Sequence, residues 1–149
     1  MTPKLAALQL RLMGWGFIVF GIVFVTIAFN GFDGFAHRLA NLFDWSGRAH
    51  TEALTRNARW FAAIMSGLSA GFGALYVFVI APLLTQENRA AQNIAKRGGL
   101  IAVFTWFVVD SAGSFAAGVP SNVAMNTIFL VALTLPLVAV KLDKLRLRI

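Results

Sequence analysis

The stretch Trp106–Phe129, WFVVDSAGSFAAGVPSNVAMNTIF, decides the fold. Asp110 is the only charged residue in the apolar run from Gly98 to Val140, and a tight Gly-Val-Pro-Ser-Asn turn follows it. A helix needs about 20 apolar residues to cross a bilayer, so this run is long enough for two crossings. The turn at Gly118–Asn122 is so short that the two helices must come back as antiparallel neighbours. Gly118 suits the left-handed end of the first helix, and Ser121 or Asn122 can cap the second. Ser111, Ser114, Asn122, Asn126 and Thr127 add hydrogen-bonding groups that hydrocarbon does not tolerate singly. The expectation is a helical hairpin with a polar cluster folded inside it.

Working outward, Leu12–Phe29 and Trp60–Gln86 are also free of charge, which makes four spans. The composition agrees: 58% hydrophobic and 13% charged residues, against roughly half and about a quarter in soluble domains. Mean hydropathy is +0.74. The chain of 149 residues has room for one domain. The fold class expected is all-α, an integral membrane four-helix antiparallel bundle. Its spans fall near 12–30, 58–83, 99–117 and 121–140, with an outer loop at 31–57 and a cytoplasmic linker at 84–98. Leu12–Phe29 is longer than a signal-peptide apolar core and no A-x-A-like site follows, so it reads as an uncleaved first span.

Within the outer loop, Phe32–Asp44 has helical periodicity. At 100° per residue, Phe32, Phe35, Ala36, Leu39, Ala40, Leu42 and Phe43 share one side. Asp33, His37, Arg38, Asn41 and Asp44 share the other. This is a short amphipathic helix, lying in the interface or forming a lid over the bundle mouth. The second span, starting near Thr51 and entering the membrane near Trp60, carries small residues at four-residue spacing: Ala63, Gly67 and Gly71, with Ala62, Ser66, Ala70 and Ala74 alongside. Gly67–Gly71 is a GxxxG pair, a groove that lets another helix backbone approach. Packing within the bundle is the favoured use, and a partner chain the other. Pro82 should kink or end this span. Pro136 should bend the fourth and free the carbonyl of Ala132.

Nine Lys and Arg fall in the terminal segments and the 86–99 linker, against four in the outer loop and none at the Pro120 turn. That asymmetry places both termini in the cytoplasm of a multi-pass inner-membrane protein. It also accounts for the net charge of +7 as a headgroup and topology signal, which argues against nucleic acid. In this topology Asp110 lies about 10 Å inside the outer edge. Asn126 is at similar depth, Thr26 is at the outer end of the first span, and Arg56 and Arg59 stand where the second begins. Asp110, Ser114, Asn126, Arg59, Arg56 and Thr26 thus form a candidate polar layer, with the two arginines as candidate partners for the acid. The layer either fixes helix register or holds a ligand, ion or proton.

The rest of the chemistry is thin. There is no cysteine, so no disulfide or thiolate site. His37 and His50 both fall in the outer loop, which rules out a haem held between spans, and no metal ligand set is expected. No HExxH, GxSxG or Walker pattern occurs, and one buried acid gives no carboxylate pair. The expectation is no enzyme, no catalytic residue and no resident cofactor. The 14 phenylalanines suit lipid and core, and also a lipid, quinone or carotenoid packed against them.

The layout of basic start, amphipathic outer segment, small-residue second helix and outer hairpin around WFVVDS and GVPSN resembles small four-span bacterial inner-membrane proteins of the DoxX-like kind. The resemblance covers the whole chain as a layout and carries over no functional residue. Function is expected to be that of an accessory subunit packing against larger membrane proteins or against itself. The alternative is a binder or carrier of a small ligand (lipid, quinone or pigment) at the polar cluster.

Overall fold

The structure is a computed structural model, and it describes residues 1–47 and 51–140. Arg48, His50 and the basic segment after Val140, which carries four of the counted Lys and Arg, lie outside the described residues. The regular elements among the described residues are all helical. Helix α1 spans Pro3–Phe24 and tightens into a 3₁₀ turn, Val25–Ala28. The short α2 spans Asp33–Phe43. Helix α3, Arg56–Leu75, runs through a π-helical turn, Tyr76–Ile80, into α4, Ala81–Leu84. Then come α5, Arg89–Ala116, and α6, Ser121–Ala139. Four stretches of 26, 29, 28 and 19 residues (Pro3–Ala28, Arg56–Leu84, Arg89–Ala116, Ser121–Ala139) are long and apolar enough to cross a membrane. At 1.5 Å per residue even the shortest reaches about 28 Å, close to the hydrocarbon thickness. Much of their apolar surface, including Leu12, Val19, Ile22, Leu68, Phe78, Ile101, Val109 and Val131, faces outward, as a lipid solvent requires.

Helix ends follow local chemistry more than hydropathy does. Thr2 caps α1 ahead of Pro3, so that helix begins well before the apolar run. Thr55, rather than Thr51, caps α3, accepting from the Ala58 N–H at 3.2 Å. Asn88 caps α5, so most of the expected 84–98 linker is helix, and only Thr85–Asn88 separates the second and third spans. At the hairpin, Gly118 takes φ +77° as expected. Val119 N–H donates to Ser114 O and Gly118 N–H to Phe115 O, closing a Schellman motif. Pro82 sits in the last turn before the second span stops, and the π turn immediately precedes it. Pro136 lies inside α6, and Gln9 Nε2 donates to the freed Ala132 carbonyl at 3.4 Å.

Helix α1 packs closely on α3, and α5 on α6. The two pairs meet mainly at the end away from α2. There Ala6, Leu10, Tyr76, Ile80, Leu84, Ala95, Val103, Leu133 and Leu137 form the buried core, and Tyr76 Oη donates to Gly99 O at 3.0 Å. Toward α2 the pairs diverge, and α3 makes no backbone approach to α5 or α6. The bundle is a wedge, closed at one end and spread at the other.

The α1–α3 contact corrects the expected packing residues. A Cβ on Gly21 would lie 2.5 Å from Ser66 O, and one on Gly14 2.7 Å from Gly73 O, so these backbones touch. The buried ridge of α3 is Ala62, Ser66 and Gly73. Gly67 and Gly71 have nothing within 4 Å of an added Cβ, and Ala63 is only half-buried. Two small-residue ridges lie side by side on α3, and a helix can bury only one against a single neighbour. Gly14 and Gly21, seven residues apart and on one face of α1, select the ridge that is used.

Candidate functional site

The α5–α6 hairpin sets the polar cluster. Asp110 and Ser114 are one turn apart on α5, and Asn122 and Asn126 one turn apart on α6, in antiparallel register. Asn126, almost wholly buried, donates from Nδ2 to Asp110 Oδ2 at 2.7 Å and to Ser111 Oγ at 3.2 Å. Asn122 Nδ2 donates to Ser114 Oγ at 2.8 Å and to Asp110 Oδ2 at 3.4 Å. Both amides turn their nitrogen toward the same carboxyl oxygen, Asp110 Oδ2. The acid expected inside the membrane is thus received by two amides, and no lysine or arginine among the described residues pairs with it.

The arginines and Thr26 are elsewhere. Arg59 pairs with Asp33 in the first turn of α2, and its Nη1 donates to Ile27 O at 3.1 Å and Phe29 O at 2.7 Å. It thereby satisfies carbonyls left open where the first span ends, and it ties α2 to that end. The expectation of an arginine reaching Asp110 is corrected, because those nearer acceptors engage Arg59 first. Arg56 is exposed and lines a separate notch with Ala28, Asn30 and Trp60. Thr26 Oγ1 donates to Val23 O in its own helix at 2.7 Å and joins no cluster. His37 Nε2 lies 2.9 Å from Glu52 O. Among the described residues no group of three or more His, Asp or Glu is placed to hold a metal.

The structure adds a chamber that the residue pattern did not reveal. A recess of about 470 Å³ lies in the spread end of the wedge. Phe20, Phe24 and Ile27 wall it from the first span, and Ala62, Met65 and Ser69 from α3. Asn122 wall it from α6. Its roof is the centre of the α2 stripe, Ala36, Leu39, Ala40 and Phe43, whereas the stripe's edges, Phe32 and Leu42, are exposed. Helix α2 buries no residue fully, so polar ties hold it. Arg59 grips its start, and Ser121 Oγ donates to Phe43 O at 2.6 Å while accepting from Trp45 N–H at 3.3 Å. Ser121, expected as a helix cap, is instead a clasp between α6 and α2.

One turn further from α2, each span contributes one ring to a closed aromatic layer. Phe17–Phe72 and Phe17–Phe129 centroids are 5.6 Å apart, and Phe72–Trp106 and Trp106–Phe129 are 6.5 Å apart. These spacings are those of favourable aromatic pairs. Trp106 is one turn below Asp110, and Phe129 three residues beyond Asn126, so the polar cluster stands directly over this floor. The recurrence of an aromatic at one level in all four spans was the signal available in the sequence. Compared with family models, with curated proteins and with solved structures, the chain finds no match, so what stands is a four-span helical membrane protein with no family assigned.

Proposed function

We propose that the chain is a non-enzymatic, membrane-embedded binder of a small amphiphile, which enters from the bilayer and lies in the recess beneath α2. The observation that carries this reading is the recess itself. An apolar chamber of about 470 Å³ is roofed by an amphipathic helix and walled at one point by an amide hydrogen-bonded to Asp110. Small-molecule sites have volumes of about 300–1,000 Å³, mostly apolar lining and few convergent polar groups. The absence of backbone approach between α3 and the α5–α6 pair supports lateral access from lipid. Purification in a mild detergent, followed by native mass spectrometry, tests it. A retained lipid, quinone or pigment lost in Phe43→Asp is the expected result, and a ligand-free protein at all detergent levels would count against it.

The charge asymmetry supports a cytoplasmic-membrane protein with both termini inside, which puts α2 and the recess at the outer face. The chain lacks cysteine, so Val119→Cys can be labelled with an impermeant maleimide in intact cells. Labelling only after lysis would reverse the orientation.

A second reading, an accessory subunit, has its own support. Gly67 and Gly71 present an open small-residue face outward, where another transmembrane helix can approach. Gly71→Leu should then remove the partner in blue-native electrophoresis and leave the monomer folded. A lone 16.2 kDa species in wild type under every mild condition removes this reading.

A further inference from the structure

We infer that the head of the bound amphiphile is a hydrogen-bond donor, a hydroxyl or an ammonium, received by Asn122 Oδ1. This rests on the reading of the recess as an amphiphile site. Among the described residues, Asn122 and Ser69 are the only polar side chains in the lining. Both hydrogens on Asn122 Nδ2 are already placed, one on Ser114 Oγ and one on Asp110 Oδ2. An amide has two donors on nitrogen and an acceptor oxygen, so Oδ1 remains for a ligand, and no donor from the described residues reaches it. Turning the amide to offer Nδ2 to a ligand would break both bonds and set Oδ1 against the Asp110 carboxyl. Asn126 holds that carboxyl in place from the other side.

The preference follows by elimination among head chemistries. An ester, ether or aldehyde head offers only acceptors, and at Asn122 it meets another acceptor. A carboxylate or phosphate head faces the same oxygen with Asp110 behind it. Arg59 and Arg56 do not compensate, since Arg59 is held by Asp33 and two carbonyls and Arg56 lines a different notch. A hydroxyl completes Asn122, and an ammonium does so with a charge-assisted hydrogen bond.

The test uses the full chain in nanodiscs of zwitterionic lipid, with Trp15, Trp45 and Trp60, all well exposed, changed to Phe so that Trp106 is the sole tryptophan. Brominated stearyl alcohol, stearylamine, stearic acid and its methyl ester are titrated as quenchers of Trp106, which lies one helical turn from Asp110, the acid bonded to Asn122. The alcohol and amine should quench with at least about tenfold higher affinity than the acid and ester, the ratio that one good hydrogen bond in a dry site supports. Asn122→Leu should bring the alcohol down to the level of the ester while leaving the ester unchanged. Equal quenching by all four, or a preference for acid or ester, overturns the head assignment and leaves the chamber reading intact. No quenching of Trp106 beyond that given by brominated phospholipid overturns the chamber reading itself.

Discussion

Asn126 carries the most at the scale of single residues. It is buried, and it holds Asp110 and Ser111 together across the hairpin. Asn126→Ala leaves an acid without its shortest bond in a setting with little water. The expected cost is about 1–3 kcal/mol, the usual penalty for an unsatisfied buried polar group, read as a lower midpoint in SDS-induced unfolding. Glycines give a paired prediction. A Cβ on Gly73 would run into the Gly14 carbonyl, and backbone cannot give way as a side chain can. Gly73→Ala should therefore cost about 1–3 kcal/mol of the same stability, whereas Gly67→Ala should be neutral or gain up to about 1 kcal/mol from helix propensity. Equal effects at the two sites would contradict the α1–α3 register. Asp110, Ser114 and Asn126 were legible as a set because spacing on two helices joined by a fixed turn determines what meets. The partner of Arg59 was not, since Asp33 reaches it through an irregular segment whose path no periodicity encodes.

Elements were legible where hydropathy rules and blurred where caps rule. The four apolar runs became four spans, and the two-sided pattern of Phe32–Asp44 became α2. Helix boundaries moved by up to about ten residues where Thr2, Thr55 and Asn88 supply caps that outweigh local polarity. The choice between adjacent small-residue ridges on α3 was set by glycines on another helix, information that a single span does not contain. Helix α2 is the element with least burial and most dependence on a few ties. Arg59→Ala removes donors to Ile27, Phe29 and Asp33 at once. Amide hydrogen exchange in α2 should then speed up by at least about tenfold, with exchange in the spans unchanged, as expected when a low-stability unit opens by itself. If exchange rises across α3 as well, Arg59 supports the bundle rather than the roof.

For the whole molecule, the wedge shape divides labour between its ends. The closed end carries the apolar core and the Tyr76–Gly99 bond, and stability resides there. The spread end carries the amides, the acid, the recess and the held roof. Tyr76→Phe should lower stability by about 0.6 kcal/mol, in line with hydrogen bonds in membrane bundles, and leave ligand retention untouched. Asn122→Leu should instead lower retention of a ligand with a donor head. Retention lost together with stability in both variants would mean that the ends are coupled. This division could not be read from sequence, because span lengths and polarity say nothing about how far helices splay.

The ring of Phe17, Phe72, Trp106 and Phe129 has a consequence for traffic across the membrane. It stands between Asp110 and the closed end of the bundle. A continuous water wire from Asp110 to the opposite face would have to pass a layer of four rings in edge-on and tilted contact. Proteoliposomes carrying this protein should hold a pH gradient as tightly as empty ones, and a leak would show that the aromatic barrier opens.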